Sequence, residues 1–318
     1  KLNKKLICVT IGDVKGIGIY LLLKEYKNKK IKDFILITNL DIFIKYVKFP
    51  KNKINLVNDI NLNNYNKKKL NIYSYKTKNK DTNTIDSLNY AYKFTKRKIF
   101  RGILTLPLNK FKINKSVSKK FIDQTNFFSK KENQEFSNMV FYYKNKFFIP
   151  LTIHIELKEV HKYFQNRVMI TNKIENLYST LLNDFNIKKP KMILAGINPH
   201  AGENKLISED DNKYLLPIIN SLKKKGIFVY GPISGDGIIN NENLKKYDAF
   251  IFTYHDQALI PFKILSNYKG VNFTSNLDIV RVSPCHGTAE NLIGSSKVIS
   301  KGIVNCFNLI KKISKNRN

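Results

Sequence analysis

Five histidines stand in the chain, at positions 154, 161, 200, 255 and 286. Three of them close apolar runs that read as strands. His154 ends "PLTIH", His200 ends "ILAGINPH" and His255 ends "FIFTYH". Three neutral imidazoles arriving from distant positions form a natural facial set for Zn²⁺ or a similar divalent ion, with positions left open for substrate. Asp256 and Glu156, close to His255 and His154, are placed to orient those rings. No compact HxxxH pattern occurs, so spacing alone leaves open a second reading, in which each ring is a hydrogen-bonded structural residue. His161, in the helix-like "LKEVHKYF", reads as surface. His286, in "SPCHGTAENLIG", precedes a helix start whose amides suit an anion, or which Thr288 simply caps.

A second group could bind anions. Of the 56 basic residues only five are arginine, and Arg281 closes the strand-like "DIVRVS". A planar guanidinium binds phosphate or carboxylate bidentately, which gives this position a physical motive for arginine over lysine. Lys263 follows His255 by eight positions and matters by that neighbourhood. "TIGDVKGIG" follows the first strand and opens a helix, with glycines at 12, 16 and 18. It is not GxGxxG, and its structural alternative is a tight strand-to-helix turn.

These residues need elements to position them. "KLICVTIG" (5–12), "DFILITN" (33–39), "RGILTLPLNK" (101–110), "PKMILAGINPH" (190–200), "FVYGPIS" (228–234) and "AFIFTYH" (249–255) read as strands. Between them lie helical patterns at 18–28, 87–98, 170–186, 212–226 and 288–313, with Thr171 as the expected N-cap of the third. "NMVFYYKNKFFIPLTIHI" (138–155) reads as two strands around a turn at Lys144–Lys146. Alternation of this kind predicts an α/β protein with a largely parallel sheet, whose chemistry gathers at the carboxyl ends of the strands. That rule selects Gly12–Gly18, Thr105–Lys110, His154, Asn198–Glu203, Gly231–Asp236 and His255–Lys263.

Composition narrows the function classes. A length of 318 residues suits two domains or one large α/β body. The net charge of +32 raises nucleic acid as a partner, but the lysines are scattered with Asn, Ile, Tyr and Phe over every region instead of clustering with arginine on one element. Compositional drift in an AT-rich genome accounts for that pattern, so no nucleic-acid partner is expected. The segment 58–80 reads on the same ground as solvated loop or worn helix. Cys8, Cys285 and Cys306 are odd in number and lack CxxC spacing, which fits a reducing cytoplasm. No run approaches the ~18–20 apolar residues of a membrane span, and the first apolar stretch is too short for a signal peptide. A cytoplasmic chain with no membrane partner is expected.

Taken together, "VTIGDVKGIG", "LPLNK", "LTIHIELKEV", "INPHAGEN", "GPISGDG", "YHDQALIPFK", "GVNFTSNLDIVR" and "SPCHGTAENLIG" resemble, in order and spacing, the 4-hydroxythreonine-4-phosphate dehydrogenases of vitamin B6 biosynthesis, the PdxA family. The resemblance spans nearly the whole chain. It implies an isocitrate/isopropylmalate dehydrogenase-like α/β/α fold with two domains and a central cleft, working as a homodimer. We expect one domain from 1–125 and 286–318 and a central one, 126–285, carrying the metal ligands. The resemblance makes His154, His200 and His255 the ligands of a divalent metal (Zn, Mg or Co). It makes Gln124, Thr125, Lys263, Asn272 and Arg281 contacts of a phosphorylated amino-acid substrate, and it puts Asp236 at the site. NAD is the implied cofactor, with Gly12, Asp13, Gly16 and His286 as candidate contacts. The implied reaction is NAD-dependent oxidative decarboxylation of 4-phosphohydroxy-L-threonine. A related metal-dependent dehydrogenase of 4-phosphorylated threonate or erythronate is the alternative, and a non-catalytic basic binding protein is a more distant one. The chain departs from the family's pattern at Gln124 (histidine in the family), Cys285 (aspartate), Ala258 (glycine) and in the first loop, at Val14-Lys15 and Ile19-Tyr20.

Overall fold

Short, mostly buried apolar strands alternate with amphipathic helices along the chain. The computed structural model describes residues 6–57, 64–117, 121–295 and 298–317. The chain divides into two compact units, residues 1–133 with 277–316, and residues 134–276, to which Arg317 also belongs.

The first unit contains β1 (Ile7–Thr10), α1 (Ile17–Lys27), β2 (Phe34–Ile37), α2 (Leu40–Tyr46), β3 (Ile54–Val57), β4 (Leu70–Tyr73), α3 (Lys80–Lys96), β5 (Ile103–Thr105), α4 (Lys110–Ser116) and α5 (Gln124–Lys131). The second contains β6 (Met139–Tyr143), β7 (Lys146–Pro150), α6 (Val160–Tyr163), α7 (Arg167–Phe185), β8 (Met192–Ala195), α8 (Leu216–Lys224), β9 (Val229–Ile233), α9 (Asn241–Lys246), β10 (Ala249–Phe252), α10 (His255–Ser266) and β11 (Val271–Thr274). The chain then returns to the first unit through β12 (Arg281–Pro284) and α11 (Lys301–Asn316).

In the first unit the strand order is β3-β4-β2-β1-β5-β12, all parallel. Strands buried on both faces read as continuous apolar runs, as "FILI" of β2 does, because helices cover both sides of a parallel sheet. In the second unit the order is β11-β6-β7-β10-β8-β9. There β7, β10, β8 and β9 are parallel, while β6 runs antiparallel to both β11 and β7. The two-residue turn between β6 and β7 holds Lys144 and Asn145 at φ 47° and 61°, the left-handed pair that a tight hairpin needs.

The α/β class and the largely parallel sheet are as expected. Several boundaries are not. The first unit ends after α5, not at residue 125, because a cut there would split a helix. It resumes at 277, not 286, because β12 pairs with β5. Helix α7 is capped by Asn166, whose side chain accepts from Met169 N, and Thr171 lies buried inside the helix. Helix α3 begins at Lys80, two turns before the apolar periodicity, because the Asn79 side chain caps it. Within 58–80, residues 58–63 lie outside the described residues. Leu70–Tyr73 form β4 instead of loop, with three of its four residues buried. Ala258 is accommodated in regular helix, fully buried in α10.

Candidate active site

The parallel strands β7, β10 and β8 bring the three histidine segments to the carboxyl ends of neighbouring strands in the second unit's sheet. His154 follows β7 in a left-handed conformation (φ 54°), and His255 opens α10 directly after β10. Because β7 and β10 are neighbours in register, with Pro150 opposite Phe252, the two rings come together with centroids 5.6 Å apart. The Asp256 carboxylate lies 3.1 Å from His255 Nδ1. Nδ1–H donates to it, and that tautomer leaves Nε2 with its lone pair available. Glu156 instead pairs with Lys158, at 69% exposure.

His200 sits on the loop after β8. From His200 to Asn204 five successive residues are left-handed, with φ between 45° and 81°. This loop is pinned from below by Asp211, a side chain the sequence reading passed over. Asp211 is 1% exposed; its Oδ1 accepts from Ile197 N (2.7 Å) and its Oδ2 from Asn198 N (3.3 Å) and Asn198 Nδ2 (3.1 Å). Gly196 is required there, since a Cβ would lie 2.7 Å from Asp211 Oδ1 and 2.8 Å from Ala201 Cα. Gln257 ties the neighbouring strand end in. Its Oε1 accepts from Thr253 N and Oγ1, both 2.9 Å, and its Nε2 donates to Gly196 O at 3.0 Å.

His200, Asp256 and Asp236 line one cavity of about 640 Å³, with Asn198, Tyr254 and Gln257. The exposed Asp236 carboxyl is held below its usual range, chiefly by a hydrogen bond from Ser234 Oγ and, among weaker causes, by His200. Apolar Ile239, Ile260 and Ile264 also line it. Among the described residues no three His, Cys, Asp or Glu side chains form a group close enough to hold a metal ion. His154 and His255 fit as two ligands, and His200 lines the cavity beside Asp256 without completing a third. Lys263 is exposed on α10, two turns beyond His255. Asn272, on β11, has a buried Oδ1 that meets no hydrogen-bond partner among the described residues. Lys173, also unremarked in the sequence, reaches from α7 to Leu151 O (2.8 Å), and burial pushes its amine down to about 8.

In the first unit, Arg281 is 2% exposed at the start of β12. Its Nε and Nη2 donate to Thr105 Oγ1 (3.0 and 2.8 Å), Nη2 also donates to Gln124 Oε1, and Nη1 lies 3.4 Å from Thr125 Oγ1. Its guanidinium carbon lies 6.0 Å from the centre of the Phe128 ring. Burial lowers its pKa to about 10, opposed by Asp123, so it stays a cation at neutral pH. Gln124, Thr125 and Arg281 are thus one cluster.

The first glycine loop is built for packing. Gly12 has φ +63°, and a Cβ there would lie 2.4 Å from Pro107 O. Gly16 N donates to Asp13 O and Ile17 N to Thr288 O, while Asp13 pairs with Lys112. His286 Nδ1–H donates to Gly287 O (3.1 Å), and burial holds its pKa below the usual imidazole value. Its Nε2 is a buried ring nitrogen with no partner among the described residues.

Comparison with known proteins places this architecture. Residues 26–310 match the family described as pyridoxal phosphate biosynthetic protein PdxA. A 4-hydroxythreonine-4-phosphate dehydrogenase of Aquifex aeolicus is 31% identical over 98% of this chain and 99% of that protein. One from Bacteroides thetaiotaomicron is 33% identical over 60% of this chain and about half, 52%, of its own length. The fold is that of a solved 4-hydroxythreonine-4-phosphate dehydrogenase from Klebsiella pneumoniae. The TM-score is 0.81, with 22% identity, over 98% of this chain and 99% of that one. A match over 26–310 and end-to-end similarity at 31% identity make this chain a member of the PdxA family of pyridoxal phosphate biosynthetic proteins.

Proposed function

We propose that this protein is an NAD-dependent 4-hydroxythreonine-4-phosphate dehydrogenase in vitamin B6 (pyridoxine 5'-phosphate) biosynthesis. It would convert 4-phosphohydroxy-L-threonine into 3-amino-2-oxopropyl phosphate and CO₂. The observation that carries this reading is the end-to-end similarity to the Aquifex aeolicus enzyme of that name. Histidines at the ends of neighbouring parallel strands support it.

In the proposed reaction a hydride leaves C3 for NAD⁺ and the hydroxyl proton goes to a base. The resulting β-keto acid loses CO₂, and a proton added at C2 completes the product. A divalent metal (Zn, Mg or Co), with His154 and His255 as two ligands and His200 drawn in from the cavity wall on binding, would supply Lewis acidity to the oxygen at C3. The chain's own groups do the rest. Asp256 keeps His255 in the tautomer that presents Nε2. In the first unit Arg281, with Thr125, would receive the substrate's anionic phosphate, and Lys263, in the second unit, is a further cationic candidate. The orphaned Asn272 Oδ1 suits a donor such as the substrate's ammonium group. Asp236 adds an ionised carboxylate beside His200. Among the NAD candidates, Gly12, Asp13 and Gly16 are engaged in closing their own turn, and His286 Nε2 is the atom with capacity for a new partner.

The enzyme would act in the cytoplasm as a homodimer. Ile260 and Ile264, 61% and 74% exposed on α10, offer apolar surface to a second copy. No described helix is long and apolar enough to cross a membrane.

NADH formation from 4-phosphohydroxythreonine, with and without divalent metal, tests the reading. His200→Ala should lose metal binding and turnover together. Full turnover by metal-stripped protein would refute the metal assignment. Faster turnover of 4-phosphorylated threonate or erythronate would replace the substrate.

A further inference from the structure

We infer that Thr105 and Gln124 are positioning residues that fix the plane of the Arg281 guanidinium before substrate arrives. The inference rests on the proposal that Arg281 receives the substrate phosphate, and it assigns Gln124 a role through Arg281 instead of through direct contact with phosphate. The geometry of the two side chains carries it.

A hydroxyl has one proton to donate and two lone pairs to accept with. Thr105 Oγ1 uses all three. It donates to Val282 O (3.2 Å) and accepts from Arg281 Nε and Nη2. Two N–H groups of one planar fork ending on one atom fix both the position and the in-plane rotation of that fork. Gln124 supplies the next point. Its Oε1 accepts from Nη2, and its Nε2 donates to Leu106 O (2.9 Å), so its amide is held in one orientation by the strand end itself. Both supports come from the carboxyl end of β5 and the first turn of α5, rigid elements that pair or pack within the same unit. Thr105 is fully buried. A cation with a long, rotamer-rich side chain is therefore ordered at folding and not at binding, which is the general route to tighter binding by preorganisation.

The test uses three variants of the full-length protein with two readouts. Thr105→Val removes the acceptor and keeps the shape; Thr105→Ser keeps the hydroxyl; Gln124→Ala removes the second acceptor from a half-buried side chain. The first readout is steady-state NADH formation. We expect Thr105→Val to raise KM for the phosphorylated substrate by about tenfold or more, with kcat within about threefold, and Thr105→Ser to restore KM to within about twofold. The second readout needs no turnover. Because the chain has only five arginines, ¹⁵N-arginine labelling yields five Nε–H signals. Solvent exchange of the Arg281 signal should be about tenfold or more faster in Thr105→Val than in the wild type and Thr105→Ser. Unchanged KM and unchanged exchange in Thr105→Val overturn the inference. A wild type that turns over no such substrate defeats the functional reading, and the exchange rates still decide the positioning role. If Thr105→Val does not fold, Gln124→Ala carries the same two readouts with the same expected directions.

Discussion

Replacing Asp211 by Asn isolates the device that holds the His200 loop. The change is nearly isosteric, so it opens no cavity. It removes a carboxylate that accepts three hydrogen bonds within a fully buried setting: Ile197 N at 2.7 Å, Asn198 N at 3.3 Å and Asn198 Nδ2 at 3.1 Å. An Asn in this place keeps one carbonyl oxygen, which the shortest bond would retain. Its NH₂ then faces two donors. Hydrogen bonds to a charged group contribute about 1.5–3 kcal/mol each, and the 3.3 Å contact lies at the weak end, so the loss should be about 2–4 kcal/mol. Urea unfolding at constant m-value measures it, with Asp210→Asn as a neighbouring control expected within about 0.5 kcal/mol of wild type. The same samples, titrated with Co²⁺ and followed by visible absorption, report on the proposed metal ligands. Affinity should fall with Asp211→Asn because the backbone that presents His200 is loosened. A stability change below about 1 kcal/mol together with unchanged Co²⁺ affinity would refute this account of the loop.

Other perturbations test other parts of the molecule. His154→Ala and His255→Ala should each abolish Co²⁺ binding, and Asp256→Asn should weaken it by about 10–100-fold by freeing the His255 tautomer, which the same titration measures. Burial holds the Lys173 amine at about 8 against an ordinary 10.5, so between those values the folded state binds fewer protons than the unfolded state and stability rises with pH. Below pH 8 the full cost of enclosing the cation is present; Lys173→Met should add about 1–3 kcal/mol at pH 7 and flatten the rise, and an unchanged slope in urea titrations from pH 7 to 10.5 would contradict it. Gly12→Ala should lower stability by about 2–4 kcal/mol, since it combines a left-handed residue with a Cβ 2.4 Å from Pro107 O; a melting temperature within about 1 °C of wild type would show that the turn relaxes.

What the sequence by itself determined is local and patterned. Apolar runs ending in polar tips marked the strand ends, and period-2 and period-3.6 signals marked an α/β chain. The motif series named the family. Caps were less legible. Asn166 and Asn79 start their helices by bonding backbone amides, which hydrophobic periodicity does not register, so α7 and α3 begin earlier than the apolar pattern suggests. Only the tertiary structure decided which distant residues meet. His154 and His255 are adjacent because β7 and β10 pair in parallel register, a contact across 101 positions that no local spacing encodes. Arg281 is enclosed by Thr105, 176 positions away, and by Gln124, 157 positions away, because β12 pairs with β5 and α5 packs in the same unit. Asp211 and Lys173 acquire meaning only through burial, and burial is a property of the packed sheet and helices. Side-chain type and period are written residue by residue. Strand order and register arise from the whole chain settling its apolar faces and backbone hydrogen bonds at once, and it is that settlement which gives these particular side chains their partners.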